Sequence, residues 1–323
     1  MKVSVIIPAY NLQEYIIDCL ISVLNQKVDF EYEVICIDDY SSDNTWLQMN
    51  RIKSDYSQLR LFRNEVNLGL AKTQKRLLSL VKGKLIAYMD GDDIALPGKL
   101  KALAGHMDSN LGCNLSYHEA EVFDSKTGGI LGYYSQDFYN ASAIPEEANI
   151  SHLIQYGSFF NASSFMFRRH ENILSTIDER CKIILDYPWH ILNMLYLGGS
   201  IDFINEVYGR YRVHDGSFGG QTREFPMRRI QCMQDQLIAV ENARKFNIEK
   251  IIIEKGIAHN YFSAALFFLK QNMPLLFIKY IELASVNEIY FDNRHKLAYE
   301  FRQDPGYVMT QLFGLSENEK NIT

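Results

Sequence analysis

The sequence contains no apolar run long enough to cross a bilayer. The longest apolar stretches, near residues 261–269 and 274–278, fall well short of the roughly 20 residues that a membrane-spanning helix needs. Only Lys2 separates the initiator from the apolar residues 3–7, so a charged leader with an apolar core and a cleavage site does not fit. We therefore expect neither an integral membrane protein nor a secreted one.

Cysteine pairs and basic runs are also missing. The five cysteines are odd in number, lie far apart and form no C-x-x-C pair, which predicts buried, reduced thiols in a cytoplasmic protein. Lysine and arginine number 33 against 39 acidic residues, giving a formal net charge of −6 without a long basic run. Because binding to a phosphate backbone needs a clustered basic face, nucleic acid is not an expected partner.

Several common enzyme motifs are absent. The sequence has no G-x-x-x-x-G-K-S/T loop, no G-x-S-x-G elbow, no G-x-G-x-x-G fingerprint and no H-E-x-x-H helix, which removes several enzyme classes. It does have enough apolar residues for a large core, since 47% of its 323 residues are hydrophobic. This size predicts one large domain with an appendage, or two modest domains.

Buried-strand and amphipathic-helix patterns alternate through the first hundred residues. Residues 3–7 are typical of a strand buried on both faces, and residues 11–26 carry apolar side chains at helical intervals, with Asn11 as the expected N-cap. Residues 33–37 repeat the strand pattern, which predicts a βαβ unit and a parallel sheet. The further predicted elements are strands at 59–62 and 84–89, a helix at 69–81 and a helix whose first turn contains Pro97.

The patterns change again near residue 220. Before that point the predicted elements are strands at 113–118, 163–168, 201–204 and 208–213, and a helix at 186–197. After the Gly-rich residues 216–220 strand patterns end, and long helices follow from Pro226. We therefore predict an α/β domain of residues 1–220 and a helical C-terminal extension of residues 221–323.

Acidic residues follow two of the predicted strands, and ligands of open parallel sheets bind at the carboxyl ends of the strands. Asp38 and Asp39 come after the second strand, where a turn that caps a helix is an equally good interpretation. The segment Asp90-Gly91-Asp92-Asp93 closes the strand at 84–89. Its three carboxylates repel one another unless a cation or solvent compensates, and such oxygen ligands suit Mg²⁺ or Mn²⁺ bridged to phosphates. We favour the metal interpretation over a solvated turn.

Two further residues are candidates for chemistry. Asp186 begins a predicted helix with Pro188 in its first turn, so it is a good N-cap, and a cap at a cleft can also act as a general base. His214 ends the last predicted strand. The sequence pattern by itself does not favour metal binding by His214 over an ordinary histidine.

Five motifs, taken in order, resemble those of glycosyltransferase family 2. They are residues 3–11 (Val-Ser-Val-Ile-Ile-Pro-Ala-Tyr-Asn), 37–43 (Ile-Asp-Asp-Tyr-Ser-Ser-Asp), 67–69 (Asn-Leu-Gly), 88–93 (Tyr-Met-Asp-Gly-Asp-Asp) and 211–214 (Tyr-Arg-Val-His). The resemblance covers about residues 1–217. It implies an inverting enzyme of GT-A fold, α/β with a Rossmann-like and mostly parallel central sheet flanked by helices, that uses a nucleotide-sugar, commonly a UDP-sugar.

The resemblance also implies roles for particular residues in donor binding. Asp39 matches the carboxylate that accepts a hydrogen bond from the base, with Asp38 beside it. An Arg-Asn pair common in the family is replaced here by Gln74 and Lys75, and Lys72 or Lys75 could supply the charge. The residues expected to bind the nucleotide-sugar are Pro8, Ala9, Tyr10, Asn11, Asp38, Asp39, Asn67, Gly69, Asp90 and Gly91.

The metal ligands and the base follow from the same resemblance. Asp90 and Asp92 match the ends of the family's D-x-D motif, with Asp92 the expected principal ligand of Mn²⁺ or Mg²⁺, and Asp93 matches a common extra acid. His214 matches a position that completes the metal shell in some members, and Asp186 matches the catalytic base. Any inverting transfer needs a base on the face of the sugar opposite the leaving diphosphate.

The sequence leaves two alternative functions open and predicts an acceptor and possible partners. A nucleotidyltransferase that makes the sugar nucleotide, or a relative that binds without catalysis, would share the fold type. The expected acceptor is a glycan or a lipid-linked glycan, with specificity in residues 128–165. The aromatic residues after 220 favour packing against the catalytic domain or another subunit, as in a homo-oligomer, over peripheral contact with the inner face of a membrane near Lys270 and Lys279.

Overall fold

The computed structural model describes residues 1–137, 140–214 and 225–314. These residues form two compact units. The first contains the described residues of Met1–Ile150, Ser158–Glu179 and Leu192–Gly220, and the second contains Ser151–Gly157, Arg180–Ile191 and those described within Gln221–Thr323. The functional division into residues 1–220 and 221–323 stays a prediction, and the Gly-rich residues 216–220 lie outside the described ranges. Two short segments from the first two hundred residues belong to the second unit.

A ten-stranded sheet forms the centre of the first unit. Its order is β3-β2-β1-β4-β9-β6-β10-β5, with β7 paired to β6 and β8 paired to β10. The strands are β1 (Val3–Ala9), β2 (Tyr32–Asp38), β3 (Leu59–Arg63), β4 (Leu85–Tyr88), β5 (Ile94–Ala95), β6 (Cys113–Asp124), β7 (Ile130–Tyr133), β8 (Glu147–Ala148), β9 (Phe165–Arg168) and β10 (Ser200–Val213).

The long pairings of the sheet are parallel. β1 lies between β2 and β4 and runs parallel to both, and β6 and β10 run parallel along most of their length. β9 joins the two parallel groups by antiparallel pairing with β4 and β6. All seven residues of β1 are buried, as expected for a strand covered on both faces. Parallel pairing places the carboxyl ends of β1, β2 and β4 at one edge of the sheet.

Helices follow the parallel strands of the first unit. They are α1 (Ile16–Leu24), α2 (Thr45–Arg51), α3 (Leu70–Leu80) and α4 (Lys99–Ser109). The buried residues of α1 are Ile16, Cys19, Leu20, Val23 and Leu24, which pack with the side chains of β1 and β2 in one core. The predicted βαβ unit is therefore present.

Two predicted helix starts are wrong. Asn11 has a left-handed φ of 53° and is not an N-cap, because residues 12–15 form a turn and α1 begins only at Ile16. Pro97 lies before α4 and not in its first turn, because Gly98 in the left-handed conformation (φ 94°) separates it from Lys99. The first error arises because Leu12, in the turn before α1, continues the apolar period of the helix. The second arises because the proline lies two residues before the first residue of α4, whereas the helix-start preference places proline at the first residue itself.

The two strands predicted at 201–204 and 208–213 are one continuous strand, β10. Its pairing with β6 shifts register between Ile204 and Val207 and again between Val207 and Gly209. These register shifts interrupt the sequence pattern without interrupting the strand, because eleven of the twelve residues of β6 pair with β10 along its length.

Helices make up the second unit, and no described residue after Val213 is in a strand. The helices are α5 (Ile150–Tyr156), α6 (Asp186–Leu197), α7 (Pro226–Asn242), α8 (Lys250–Lys270), α9 (Pro274–Ala284), α10 (Asn293–Glu300) and α11 (Pro305–Phe313). The helix predicted at 186–197 is confirmed, as is the long helix from Pro226. The residues of α6 up to Ile191 belong to this unit.

The aromatic residues of the C-terminal helices form the core of the second unit itself. Phe262, Phe268 and Phe277 are at most 1% exposed and pack in one apolar cluster. These three side chains therefore belong to the interior of their own unit, and packing of the C-terminal helices against another subunit stays a prediction. Among the helices of the described ranges, none combines the length and the apolarity needed to span a bilayer.

Candidate functional site

The loops after β1 and β2 are tied together where these strands end. Asn11 donates its backbone N–H to Ser41 Oγ at 2.9 Å, and its side-chain Oδ1 accepts the N–H of Ser42 at 3.0 Å. Ala9 pairs with Asp38 in the sheet, and Pro8 is buried like Ala9. Tyr10 is 49% exposed at this edge. The segment from Pro8 to Asn11 thus presents one accessible aromatic ring above a fixed backbone.

Asp38 is the structural member of the first acidic pair. Its carboxylate is fully buried and forms an ion pair with Arg63 Nε at 2.8 Å, while Oδ1 accepts the N–H of Ser41 at 3.2 Å. Arg63 also donates to the carbonyl oxygen of Ser41 at 3.0 Å. A buried carboxylate needs such compensation, so Asp38 and Arg63 together fix the loop after β2.

Asp39 organises the loop that contains Asn67 and Gly69. It accepts the backbone N–H groups of Leu68 on Oδ1 at 2.8 Å and of Gly69 on Oδ2 at 2.9 Å, and the Asn64 amide on Oδ1 at 2.5 Å. The Asn67 side chain donates to the Asp39 carbonyl oxygen at 3.1 Å. A carboxylate oxygen accepts about two hydrogen bonds. Oδ2 therefore retains one acceptor position.

The second acidic segment begins with Asp90. Its backbone N–H donates to Ser163 Oγ at 2.9 Å, and its Oδ1 accepts the hydroxyl of Tyr88 at 2.7 Å. Gly91 has no room for a side chain, since a Cβ would lie 2.7 Å from Leu12 Cδ1 and 3.1 Å from the Pro8 carbonyl oxygen. The glycine of the motif thus lets the acidic turn lie directly on the segment after β1.

Asp92 and His214 meet across the site. Asp92 Oδ2 lies 3.0 Å from His214 Nε2, and both side chains are partly accessible. Arg212 fixes the turn with two hydrogen bonds. Its side-chain Nε donates to the Asp92 carbonyl oxygen at 2.7 Å, and its backbone N–H donates to Asp93 Oδ1 at 2.9 Å. The ring of Tyr15 lies 4.8 Å from that of His214. The end of β10 therefore places the imidazole beside the acidic turn.

Charge is balanced below the acidic turn. Burial, together with the charges of Asp92 and Asp90, raises the pKa of Asp93 well above its usual range. Lys99 is 1% exposed, contacts the Ser163 carbonyl oxygen and lies near these carboxylates. Burial lowers the pKa of Lys99 to about 8, although the neighbouring acids favour its charged form. Among the described residues, the buried cations Lys99 and Arg212 therefore lie beside the turn, whereas the Asp92 carboxylate is partly accessible.

The donor set fits a divalent cation shared with a phosphate. Asp92 Oδ2 and His214 Nε2 are 3.0 Å apart, a separation that two ligands of one metal ion adopt. An imidazole beside carboxylates suits Mn²⁺ better than Mg²⁺, which prefers an octahedral shell of oxygens. Ions of this type bind through one or two side chains and complete their shells with water and substrate phosphates. These residues would hold the ion at the accessible side of the turn.

A separate group of potential ligands lies elsewhere in the first unit. His106, Cys113 and Asp202 place three ligand atoms within 4.8 Å of one another. His106 Nε2 is already 2.8 Å from Asp202 Oδ2, and burial raises the pKa of the Cys113 thiol. Because a thiol must lose its proton to bind a metal, we interpret this group as a buried polar contact.

Asp186 is described within the second unit, where it is the first residue of α6. Its side chain is half-buried. This burial raises the pKa of Asp186, and hydrogen bonds from the backbone N–H groups of Tyr187 and of Asp186 itself oppose the rise. A carboxylate with a raised pKa is a stronger base than an ordinary aspartate.

The residues that replace the family's Arg-Asn pair do not form an equivalent pair. Gln74 is buried in α3, and Lys75 forms a surface ion pair with Glu179 at 2.8 Å. Three other residues of the site were missed by the sequence interpretation. Ser163 and Lys99 belong to no recognisable motif. Arg212 lies inside the motif at 211–214, but the resemblance implies no role for it.

Comparison with known proteins places this chain in a family. The model of the family described as "Glycosyl transferase family 2" matches residues 4–172, more than half of the chain. A relative from Escherichia coli is 29% identical over 218 residues, which are 67% of this chain and 78% of the relative. It is named UDP-Glc:alpha-D-GlcNAc-diphosphoundecaprenol beta-1,3-glucosyltransferase WfaP.

Two solved structures show the same fold. S. aureus TarS 1-349 in complex with UDP-GlcNAc has a TM-score of 0.69 and 18% identity, over 97% of this chain and 92% of that one. The mannosyltransferase PcManGT from Pyrobaculum calidifontis, in complex with GDP-Man and Mn²⁺, has a TM-score of 0.59 and 15% identity, over 97% and 87%. The predicted GT-A fold with C-terminal helices is confirmed. With the family model matching from β1 to beyond β9, the chain belongs to glycosyltransferase family 2.

Proposed function

We propose that this glycosyltransferase moves a sugar from a UDP-sugar to an acceptor hydroxyl, with a divalent metal ion and with inversion at the anomeric carbon. The observation that carries the proposal is the contact between Asp92 Oδ2 and His214 Nε2 at 3.0 Å, at the edge where β1, β2 and β4 end. The names of the relative and of both structures include a nucleotide-sugar, which in two of the three is a UDP-sugar.

In the proposed mechanism, the residues after β1 and β2 bind the nucleotide of the donor, and the residues after β4 and β10 bind its diphosphate. Asp39 accepts a hydrogen bond from the base with the free acceptor position of Oδ2, and exposed Tyr10 lies against the nucleotide. Asp92 and His214 would hold the metal ion, and Asp90 supports the turn through its hydrogen bond with the Tyr88 hydroxyl. When bound, the ion supplies Lewis-acid stabilisation of the negative charge that develops on the leaving diphosphate.

Asp186 is the proposed general base. Its carboxylate takes the proton of the acceptor hydroxyl while the acceptor oxygen bonds to the anomeric carbon and the bond from that carbon to the diphosphate oxygen breaks. One displacement of this kind inverts the anomeric centre and needs no covalent enzyme intermediate. The raised pKa that burial gives Asp186 favours this role.

The acceptor is proposed to be a glycan or a lipid-linked glycan, as the name of the relative from Escherichia coli suggests for that protein. Peripheral contact with a membrane would then involve α9. Leu275 and Leu283 are exposed on this helix, and Lys279 lies midway between them at four-residue spacing. Flotation with anionic liposomes tests this contact, and equal flotation of wild type and Leu275→Ser would argue against α9.

The function is tested by incubating the protein with a panel of UDP-sugars and Mn²⁺ and by measuring both nucleotide binding and UDP release. Asp92→Asn should weaken the metal-dependent step by about 100-fold or more, and Asp186→Asn should lower transfer about 100- to 10,000-fold with donor binding retained. Asp29→Asn, a change at an exposed carboxylate, serves as the control. If the wild type bound a UDP-sugar but released no UDP with every acceptor tested, the protein would be a relative that binds without catalysis.

A further inference from the structure

A buried carboxylate on α7 contacts the segment that leads into Asp186. Asp235 is 0% exposed, and its Oδ2 accepts three consecutive backbone N–H groups. The donors are Lys182 at 3.1 Å, Ile183 at 2.6 Å and Ile184 at 2.9 Å. Gln231, one turn earlier on the same helix, donates its side-chain amide to Asp235 Oδ1 at 3.0 Å. Both carboxylate oxygens are therefore in use.

A second contact from the same helix holds the beginning of the segment. Arg180 donates to the Asn242 side-chain oxygen at 2.8 Å, and Asn242 lies seven residues after Asp235, on the same face of α7. The Cys181 thiol lies 3.8 Å from the Asp235 carbonyl oxygen. Residues 180–184 are thus attached to α7 at both ends, by side chains that all belong to the second unit.

The attachment ends two residues before the proposed base. The carbonyl of Leu185 accepts the N–H of Trp189 at 3.2 Å, so the helical hydrogen bonding of α6 begins immediately after the segment that Asp235 holds. Three N–H groups that converge on one anion fix the direction of the backbone in a way that a single hydrogen bond does not. The segment that Asp235 holds therefore leads directly into the first turn of α6, which begins at Asp186.

We propose that Asp235 is a positioning residue for the Asp186 base, and that the C-terminal helices contribute to catalysis through it. The inference rests on the proposed function of Asp186. Asp235 touches no reacting atom and acts only through the backbone of residues 182–184. A misplacement of about 1 Å at a reacting group costs about 100-fold in rate. Asp235→Ala should therefore lower kcat for transfer about 10- to 100-fold, with the donor KM unchanged within about twofold.

Rescue and control variants separate positioning from stability. Asp235→Asn keeps one oxygen for the three N–H groups and should recover most of the kcat that Asp235→Ala loses. Asp292 caps α10 in the same unit and accepts the N–H of His295 at 2.9 Å, so it makes a similar contact without leading to Asp186. Asp292→Ala should lower the melting temperature and leave kcat near the wild-type value. If Asp235→Ala does not fold, Asp235→Glu takes its place. It keeps the charge but lengthens the side chain by one methylene, so kcat should fall while that of Asp292→Ala does not, and an unchanged kcat would overturn the inference.

The decisive experiment is a double-mutant cycle with Asp186→Asn, measured on transfer from a UDP-sugar in the full-length protein. If Asp235 acts through Asp186, Asp235→Ala should not slow further the residual transfer of Asp186→Asn. An equal loss in both backgrounds, or a loss that appears in the donor KM, would overturn the inference. Wild type without transfer, or Asp186→Asn as active as wild type, would instead refute the proposed function.

Discussion

Replacing Gly91 by alanine tests whether the acidic turn must lie directly on the segment after β1. The added Cβ would lie 2.7 Å from Leu12 Cδ1, 3.1 Å from Ile16 Cδ1 and 3.1 Å from the Pro8 carbonyl oxygen. Leu12 is partly exposed and can rotate away, but the Pro8 oxygen belongs to the backbone of β1 and cannot. Gly91 does not have a positive φ, so the cost comes from the methyl group and not from the backbone conformation.

The magnitude follows from two opposing terms. Overpacking a filled site costs about 1–3 kcal/mol, and restricting the unfolded chain by Gly→Ala returns about 0.4–1 kcal/mol. We expect a net loss of about 1–2 kcal/mol, which corresponds to a fall in melting temperature of about 1.5–3 °C for a chain of 323 residues. Because the strain is relieved by moving the turn that carries Asp92, Mn²⁺-dependent affinity for a UDP-sugar should fall about tenfold.

The assay combines thermal unfolding with a nucleotide-sugar titration in the presence and absence of Mn²⁺. The matched control is Gly105→Ala in α4, where a Cβ would meet no atom within 4 Å and helix propensity should raise stability by up to about 1 kcal/mol. If Gly91→Ala retained both the melting temperature and the metal-dependent affinity of the wild type, the close approach of the turn to Pro8 would have no bearing on the site.

Three further predictions concern other parts of the molecule. Burial raises the pKa of Asp186, and the protonated group cannot act as a base. As the pH is lowered, kcat should therefore begin to fall at a pH above about 3.9, the ordinary pKa of an aspartate. A pH profile of kcat without this acidic limb would argue against Asp186 as the base. His214→Ala should raise the Mn²⁺ concentration for half-maximal transfer about 10- to 100-fold, and an unchanged value would remove His214 from the metal shell. Gly256→Ala in α8 would place a Cβ 2.4 Å from the Ile154 carbonyl oxygen. It should lower the free energy of unfolding by about 1–3 kcal/mol, although alanine has the better helix propensity. A raised melting temperature would contradict the packing of α5 on α8.

The sequence alone predicted the elements whose signal is local. The buried run of β1, the helix at 186–197 and the helix from Pro226 follow from side-chain period and from proline at a helix start. The positions of Asp39, Asp92 and His214 at strand ends also follow from local pattern, because a strand that ends in polar residues delivers them to the edge of the sheet. The family motifs added the expected chemistry at those positions.

Contacts between distant segments were decided by the tertiary structure. Ser163 is 73 residues from Asp90, and Asp235 is more than fifty residues from the N–H of Ile183. No period or spacing in the chain encodes such pairs, since each depends on which strands and helices become neighbours. The same holds for Asn11, whose side chain binds the loop after β2 instead of capping α1.

What the sequence by itself determined is therefore the alternation of elements and the chemical type of the groups at their ends, because these depend on residues a few positions apart. Tertiary structure decided how those groups are used: that Asp38 is neutralised by Arg63, that Asp39 shapes the loop of Gly69, and that Asp92 meets an imidazole. The physical reason is that burial, charge pairing and hydrogen bonding are properties of packed neighbours. Those neighbours exist only once the sheet and helices have assembled.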